Sequence, residues 1–138
     1  MLNNEKVAAA TKKVLIVEDE GDWRELLRRV ISRSGYEVIE VNSGVKAIDQ
    51  AMAVHPDLIL LDLGLPGRMS ADQIIGELKM NSSTNDIPVI VQTTDNDQTR
   101  LRHAMEAGAK QVLVKPFDLS ELPAILRKHL ASQNAGAQ

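Results

Sequence analysis

The chain has 138 residues, of which 43% are hydrophobic and 25% charged, near the averages of globular proteins, so it can build one core and has no room for a second full domain. It contains no cysteine, which excludes disulfide staples, zinc-thiolate sites and thiol nucleophiles and fits a reducing cytosol. With 16 Lys plus Arg against 19 Asp plus Glu the formal charge is −3, so no global positive field draws in nucleic acid. Its apolar runs of about five residues fall far short of the roughly 20 that span a bilayer. Direct DNA binding and membrane insertion are therefore not expected, and without an apolar signal-peptide core the protein is expected to be cytoplasmic.

Residues 1–12 are polar or small, with no periodic apolar face, and read as a flexible extension. From Lys13 onward short aliphatic runs alternate with amphipathic segments. The runs are Val14 to Val17, Val38 to Val41, Leu58 to Leu61, Val89 to Val91 and Val112 to Val114. Four are nearly continuous, as expected of strands buried on both faces, whereas Tyr36 to Val41 carries Glu37 and Glu40 and reads as an edge strand.

Between the runs lie helical patterns. Trp23, Leu26, Leu27, Val30 and Ile31 share one face, with Arg24, Arg28 and Arg33 off it, Asp22 as the expected cap and Gly35 as a stop. Ser43 can cap a second helix whose apolar set is Val45, Ile48 and Met52 and which must end before His55-Pro56. Ile74, Ile75 and Leu78 mark a third. Asn96 to Ala107, closed by Gly108, gives a fourth with a thin apolar set of Leu101, Ala104 and Met105. The fifth opens with Asp118 and Glu121 at capping-box spacing, tolerates Pro123 in its first turns and carries Leu119, Leu122, Ile125, Leu126 and Leu130. Residues 132–138 read as a flexible tail, leaving one domain over 13–131. Five strands alternating with five helices predict an α/β domain, a (βα)5 flavodoxin-like doubly wound parallel sheet with strand order 2-1-3-4-5.

Ligands of open parallel sheets bind outside the carboxyl ends of the strands. The residues there are Glu18-Asp19-Glu20 after strand 1, Asp62 after strand 3, Thr93-Thr94 after strand 4 and Lys115-Pro116 after strand 5. Carboxylates gathered on one rim repel, so either their pKa values rise or a cation joins them. Oxygen ligands without His or Cys favour a hard ion, and a partly open site suits Mg²⁺ together with a phosphoryl group. Read singly, Asp62 could begin a turn, and Glu18-Asp19-Glu20 could be acids at a helix N-terminus. His55, His103 and His129 have no ligand spacing.

These residues resemble the receiver domain of two-component response regulators. The resemblance covers Lys13 to Leu130 and rests on Glu18-Asp19, on Asp62 within Leu60-Leu61-Asp62-Leu63-Gly64-Leu65-Pro66-Gly67, on Pro88 to Thr93 and on Lys115-Pro116-Phe117. It implies that Asp62 is the phosphoacceptor, that Asp19, Asp62 and the Gly64 carbonyl bind Mg²⁺, and that Glu18 holds the ion through water. It implies further that Thr93 and Lys115 contact the phosphoryl group and that Lys115-Pro116 is a cis peptide. The implied role is a single-domain response regulator, a phosphorylation switch that takes a phosphoryl group from a phosphohistidine. The donor would be a sensor histidine kinase or a histidine phosphotransfer protein. Such a protein catalyses only its own phosphorylation and dephosphorylation. Because the chain stops after helix 5, its output is expected to reach a downstream effector through helix 4, strand 5 and helix 5, with the protein a monomer or weak homodimer.

Three departures stand out. Val112 occupies the position where the family usually has Tyr or Phe, Thr94 stands where a small residue is common, and Arg68-Met69-Ser70 replaces the favoured Met-Asp-Gly before helix 3. Val112 and Thr94 lend weight to an alternative, a receiver-like protein-binding module with a weakly active or vestigial phosphorylation site. An aspartate-nucleophile phosphatase would want a second acid two residues after Asp62, where the chain has Gly64.

Overall fold

The computed structural model describes residues 11–94 and 96–136, with side chains through Leu130. Almost all of the expected N-terminal extension lies outside the described residues, as do residues 137–138. The elements run β1 (Lys13–Val17), α1 (Gly21–Arg33), β2 (Glu37–Val41), α2 (Gly44–Val54), β3 (Leu58–Asp62) and α3 (Ala71–Met80). They continue with β4 (Val89–Thr93), α4 (Gln98–Ala107), β5 (Gln111–Val114), a short 3₁₀ turn (Leu119–Glu121) and α5 (Leu122–Gly136). All strand pairs are parallel and the sheet order is 2-1-3-4-5, as the alternation of runs predicts.

Alternation along the central strands divides the interior in two. Leu15 and Val17, Ile59 and Leu61, and Val89 and Val91 pack with Ala47 and Ala51 of α2, Ile74, Ile75 and Leu78 of α3, and Ala104 of α4. On the other face Val14, Ile16, Leu58, Leu60 and Ile90 meet Leu27 and Ile31 of α1 and Leu122, Leu126 and Leu130 of α5. The sheet is therefore covered on both sides, which is why β1, β3 and β4 are apolar at consecutive positions.

The structure corrects several details. β5 was expected to be buried on both faces, but it forms the second edge of the sheet: Leu113 alone is buried and Val114 is 42% exposed. In α2 only Ile48 of the expected stripe Val45, Ile48 and Met52 packs against the core. Val45 and Met52 are exposed, and the helix instead buries Gly44, Ala47 and Ala51. A Cβ at Gly44 would lie 2.5 Å from Ile74 Cδ1, so small residues are what allow α2 to approach α3 this closely. Leu26 of α1 is likewise exposed rather than core-facing.

Helix ends differ too. Asp22 does not cap α1. The helix starts at Gly21 because the Glu20 carbonyl already accepts the Arg24 N–H, and Asp22 sits inside the first turn, where its charge suits the helix dipole. Helix α4 begins at Gln98 rather than Asn96, since the Asp97 carboxylate accepts the N–H groups of Thr99 and Arg100. The expected capping box at Asp118 is replaced by the 3₁₀ turn, with Asp118 accepting the Ser120 N–H, and α5 proper starts at Leu122. A reciprocal capping box forms instead at Ser70 and Gln73, giving α3 a firm start despite its unusual leading loop. Ser43 caps α2, and the helix stops at Val54 ahead of His55-Pro56, as expected. Helix α5 continues to Gly136, into the segment read as a tail, with no breaker between Pro123 and Gly136.

Candidate functional site

Strand register builds the site. Val17 pairs with Leu61, so Glu18 follows at the level of Asp62, and Asp62 itself pairs with Gln92. Each continues the strand positions that face α1 and α5, after Ile16, Leu60 and Ile90. Three neighbouring strands thus present a polar side chain at one level on one face, at the carboxyl edge of the sheet. Lys115 reaches them from the end of β5, and its backbone N–H donates to the Thr93 carbonyl at 2.6 Å. The Lys115-Pro116 peptide is cis.

The structure brings together Glu18, Asp19, Asp62 and Lys115. Each of the three acids offers an oxygen within 4.8 Å of the others, a group that includes no histidine. The Lys115 ammonium lies 3.0 Å from Glu18 Oε1 and 3.7 Å from Asp62 Oδ2, with all three side chains less than a tenth exposed. Asp62 Oδ1 accepts the Gly64 N–H at 3.0 Å, which ties the carboxylate to its own loop. Asp19 is exposed and leaves the site open to solvent. Burial pushes the Glu18 carboxyl above the usual carboxylate range; the Glu20 N–H and Lys115 pull it down, and Asp62 adds a further upward push. Extra positive charge at this point would relieve both the burial cost and the repulsion.

Thr93 closes β4 one residue beyond Gln92 and is buried, whereas Thr94 is exposed. Val112 is half-buried and packs against the α2–α3–α4 side of the core. Sequence reasoning missed two polar members of the site. Gln92, wholly buried, donates through Nε2 to Glu18 Oε1 at 3.1 Å and accepts the Trp23 indole N–H at 2.7 Å. Trp23 was read only as part of an apolar helix face. It also meets Phe117 edge to face at 5.3 Å and lies beneath the Lys115 ammonium at 5.8 Å. The available signal was a glutamine inside the aliphatic run Val89-Ile90-Val91-Gln92-Thr93, a place where a buried amide must find partners.

The donor set is oxygen only, mostly buried and open on one side, which fits a hard divalent cation that keeps part of its water shell. No described helix is long and apolar enough to cross a membrane.

The chain has relatives among known proteins. It is 37% identical to the phosphate regulon transcriptional regulatory protein PhoB of Escherichia coli (strain K12) over 116 residues, 84% of this chain and 50% of that protein. The chain thus spans half the length of that relative. It is 33% identical to sporulation initiation phosphotransferase F of Bacillus subtilis (strain 168) over 119 residues, 86% of this chain and 94% of that one. Among solved structures it resembles the receiver domain of a sensor histidine kinase of Pseudomonas aeruginosa PAO1, which holds a magnesium ion in its active site cleft. The TM-score is 0.81 at 27% identity, covering 88% of this chain and 99% of the other. The chemotaxis response regulator CheY4 of Vibrio cholerae gives a TM-score of 0.80 at 27% identity, covering 87% and 99%. The profile of the response regulator receiver domain matches residues 14–127, and with the parallel 2-1-3-4-5 sheet and the acidic rim already in place, the chain belongs to that family.

Proposed function

We propose that the protein is a phosphorylation switch of two-component signalling, with Asp62 as phosphoacceptor. The observation that carries this reading is three carboxylates within 4.8 Å of one another beside the Lys115 ammonium, 3.7 Å from Asp62. An Asp62 carboxylate oxygen attacks the phosphorus of a phosphohistidine, the P–N bond breaks, and the leaving imidazole takes up a proton. Lys115 neutralises phosphoryl charge from one side, and the Thr93 hydroxyl donates to a phosphoryl oxygen. Glu18, Asp19, Asp62 and the Gly64 carbonyl would hold Mg²⁺, which when bound supplies charge stabilisation to the phosphoryl oxygens. Positioning and electrostatics together account for the rate, since the protein forms no bond except through Asp62.

The donor is a sensor histidine kinase or histidine phosphotransfer protein. Output passes to an effector protein through α4, β5 and α5, where Arg100, Arg102 and Arg127 suit an acidic partner, and the protein works in the cytoplasm. It acts on no substrate other than its own phosphoryl group. The test is intact mass after incubation with acetyl phosphate and Mg²⁺. One added phosphoryl group is expected in the wild type and none in Asp62→Asn or with EDTA; labelling unchanged in Asp62→Asn would sink the reading.

A further inference from the structure

Glu18 Oε1 accepts two donors at once, Lys115 Nζ at 3.0 Å and Gln92 Nε2 at 3.1 Å. Lys115 also stands 3.7 Å from Asp62 Oδ2, so a small swing carries its ammonium from Glu18 toward whatever forms on Asp62. That swing takes a cation away from a wholly buried carboxylate; Oε2 keeps the Glu20 N–H at 3.1 Å, so Oε1 is the oxygen that is costly to leave without a donor. Gln92 stays behind. Its orientation is not free: the indole N–H of Trp23 is a donor only, so at 2.7 Å it must face the amide oxygen, and this turns the amide NH₂ toward Glu18. Trp23 in turn packs edge to face on Phe117, two residues after Lys115, so the indole is in contact with the segment that would move.

We infer that Gln92, locked by Trp23, is a positioning residue that keeps Glu18 hydrogen-bonded while Lys115 moves to the phosphoryl group, and so favours the phosphorylated over the resting arrangement. The inference rests on the phosphoacceptor reading above. It separates two quantities that a purely structural role would change together. Binding of Mg²⁺ alone leaves Lys115 on Glu18 and needs little from Gln92; binding of a phosphoryl mimic draws Lys115 away and needs the amide.

The experiment compares wild type with Gln92→Met, which keeps volume and apolar packing in the strand but removes the donor. Trp23, the sole tryptophan of the chain, serves as the fluorescent reporter. Titrations use Mg²⁺ alone and then beryllofluoride at saturating Mg²⁺. Gln92→Met is expected to weaken beryllofluoride binding by about tenfold, the loss of one hydrogen bond to a charged group, while Mg²⁺ affinity changes by less than about threefold. Trp23→Phe, which leaves Gln92 in place but lets its amide turn, should give a smaller loss of the same kind, read by calorimetry. Equal beryllofluoride affinities in wild type and Gln92→Met overturn the inference, as do equal losses for Mg²⁺ and beryllofluoride, which mark a structural role. A wild type that binds neither Mg²⁺ nor beryllofluoride overturns the phosphoacceptor reading itself, and the inference with it.

Discussion

Single residues in this protein are constrained by their neighbours more than by their own character. Gly44 and Gly76 make the contrast: a Cβ at Gly44 would run into the buried Ile74, and at Gly76 nothing lies within 4 Å. Gly44→Ala is therefore expected to cost about 1–3 kcal/mol by overpacking. Gly76→Ala, inside α3, should stabilise by about 0.5–1 kcal/mol, and urea unfolding of the two variants checks both signs. Glu18 shows the same dependence in its charge. Its folded-state pKa is raised, so its contribution to stability is fully present below the unfolded-state carboxylate pKa and is lost as pH rises through the folded value. Mg²⁺ needs the anion, so the rise in melting temperature that Mg²⁺ causes should shrink as pH falls into that raised range, and thermal melts over pH test this. Strand-end residues such as Asp62 and Lys115 were legible in the sequence because each follows an unbroken aliphatic run. Gln92 was not, because its role depends on register with Asp62 across two strands and on a helix residue 69 positions away.

At the level of elements, α4 is less firmly anchored than α5, its neighbour on the proposed output face. It buries Ala104 and leaves Met105 45% exposed, as its thin apolar pattern predicts. Elements with little buried apolar surface open and shift most readily. With Val112 in place of an aromatic ring, a change at Thr93 has no ring to move, so it must pass through the backbone between β4 and α4. Beryllofluoride is accordingly expected to alter amide exchange mainly from Thr94 to Gly108, with smaller changes at Lys115 to Phe117. Thr93→Ala should still take the phosphoryl group but lose most of that change. Exchange altered only in the acidic loops would move the output surface elsewhere. Helix existence was readable throughout, whereas the buried face of α2 was not: periodicity marks where apolar residues recur, and close approach to α3 instead selects Gly44, Ala47 and Ala51. Start points shifted where an acid stood near a helix start: Asp22 falls inside the first turn of α1, and Asp118 caps the 3₁₀ turn ahead of α5.

For the whole molecule, the division of labour is between two apolar layers that hold the sheet and a charged rim to which the proposed chemistry is assigned. Removing Mg²⁺ should leave the fold intact, since neither layer includes a rim carboxylate. Binding to the native state alone adds RT ln(1 + [L]/Kd), about 1.4 kcal/mol at ten times Kd, or roughly 5 °C in melting temperature for a domain of this size. Asp19→Asn should lose most of that response. The fold class and strand order were legible because five aliphatic runs alternate with five amphipathic segments, and right-handed crossovers leave few ways to arrange them. The partial exposure of β5 was not, because its run is as aliphatic as those of the central strands even though the expected order places it at an edge.

The central claim is that the phosphoryl group resides on Asp62 as an acyl phosphate, and its location can be read directly. After reaction with acetyl phosphate and Mg²⁺, borohydride reduces an aspartyl phosphate to homoserine, and peptide mass mapping finds the converted residue. Conversion at Asp62 alone, abolished by EDTA, is the predicted result. Conversion at Asp19, at another acid, or at no residue despite an added phosphoryl mass would contradict it.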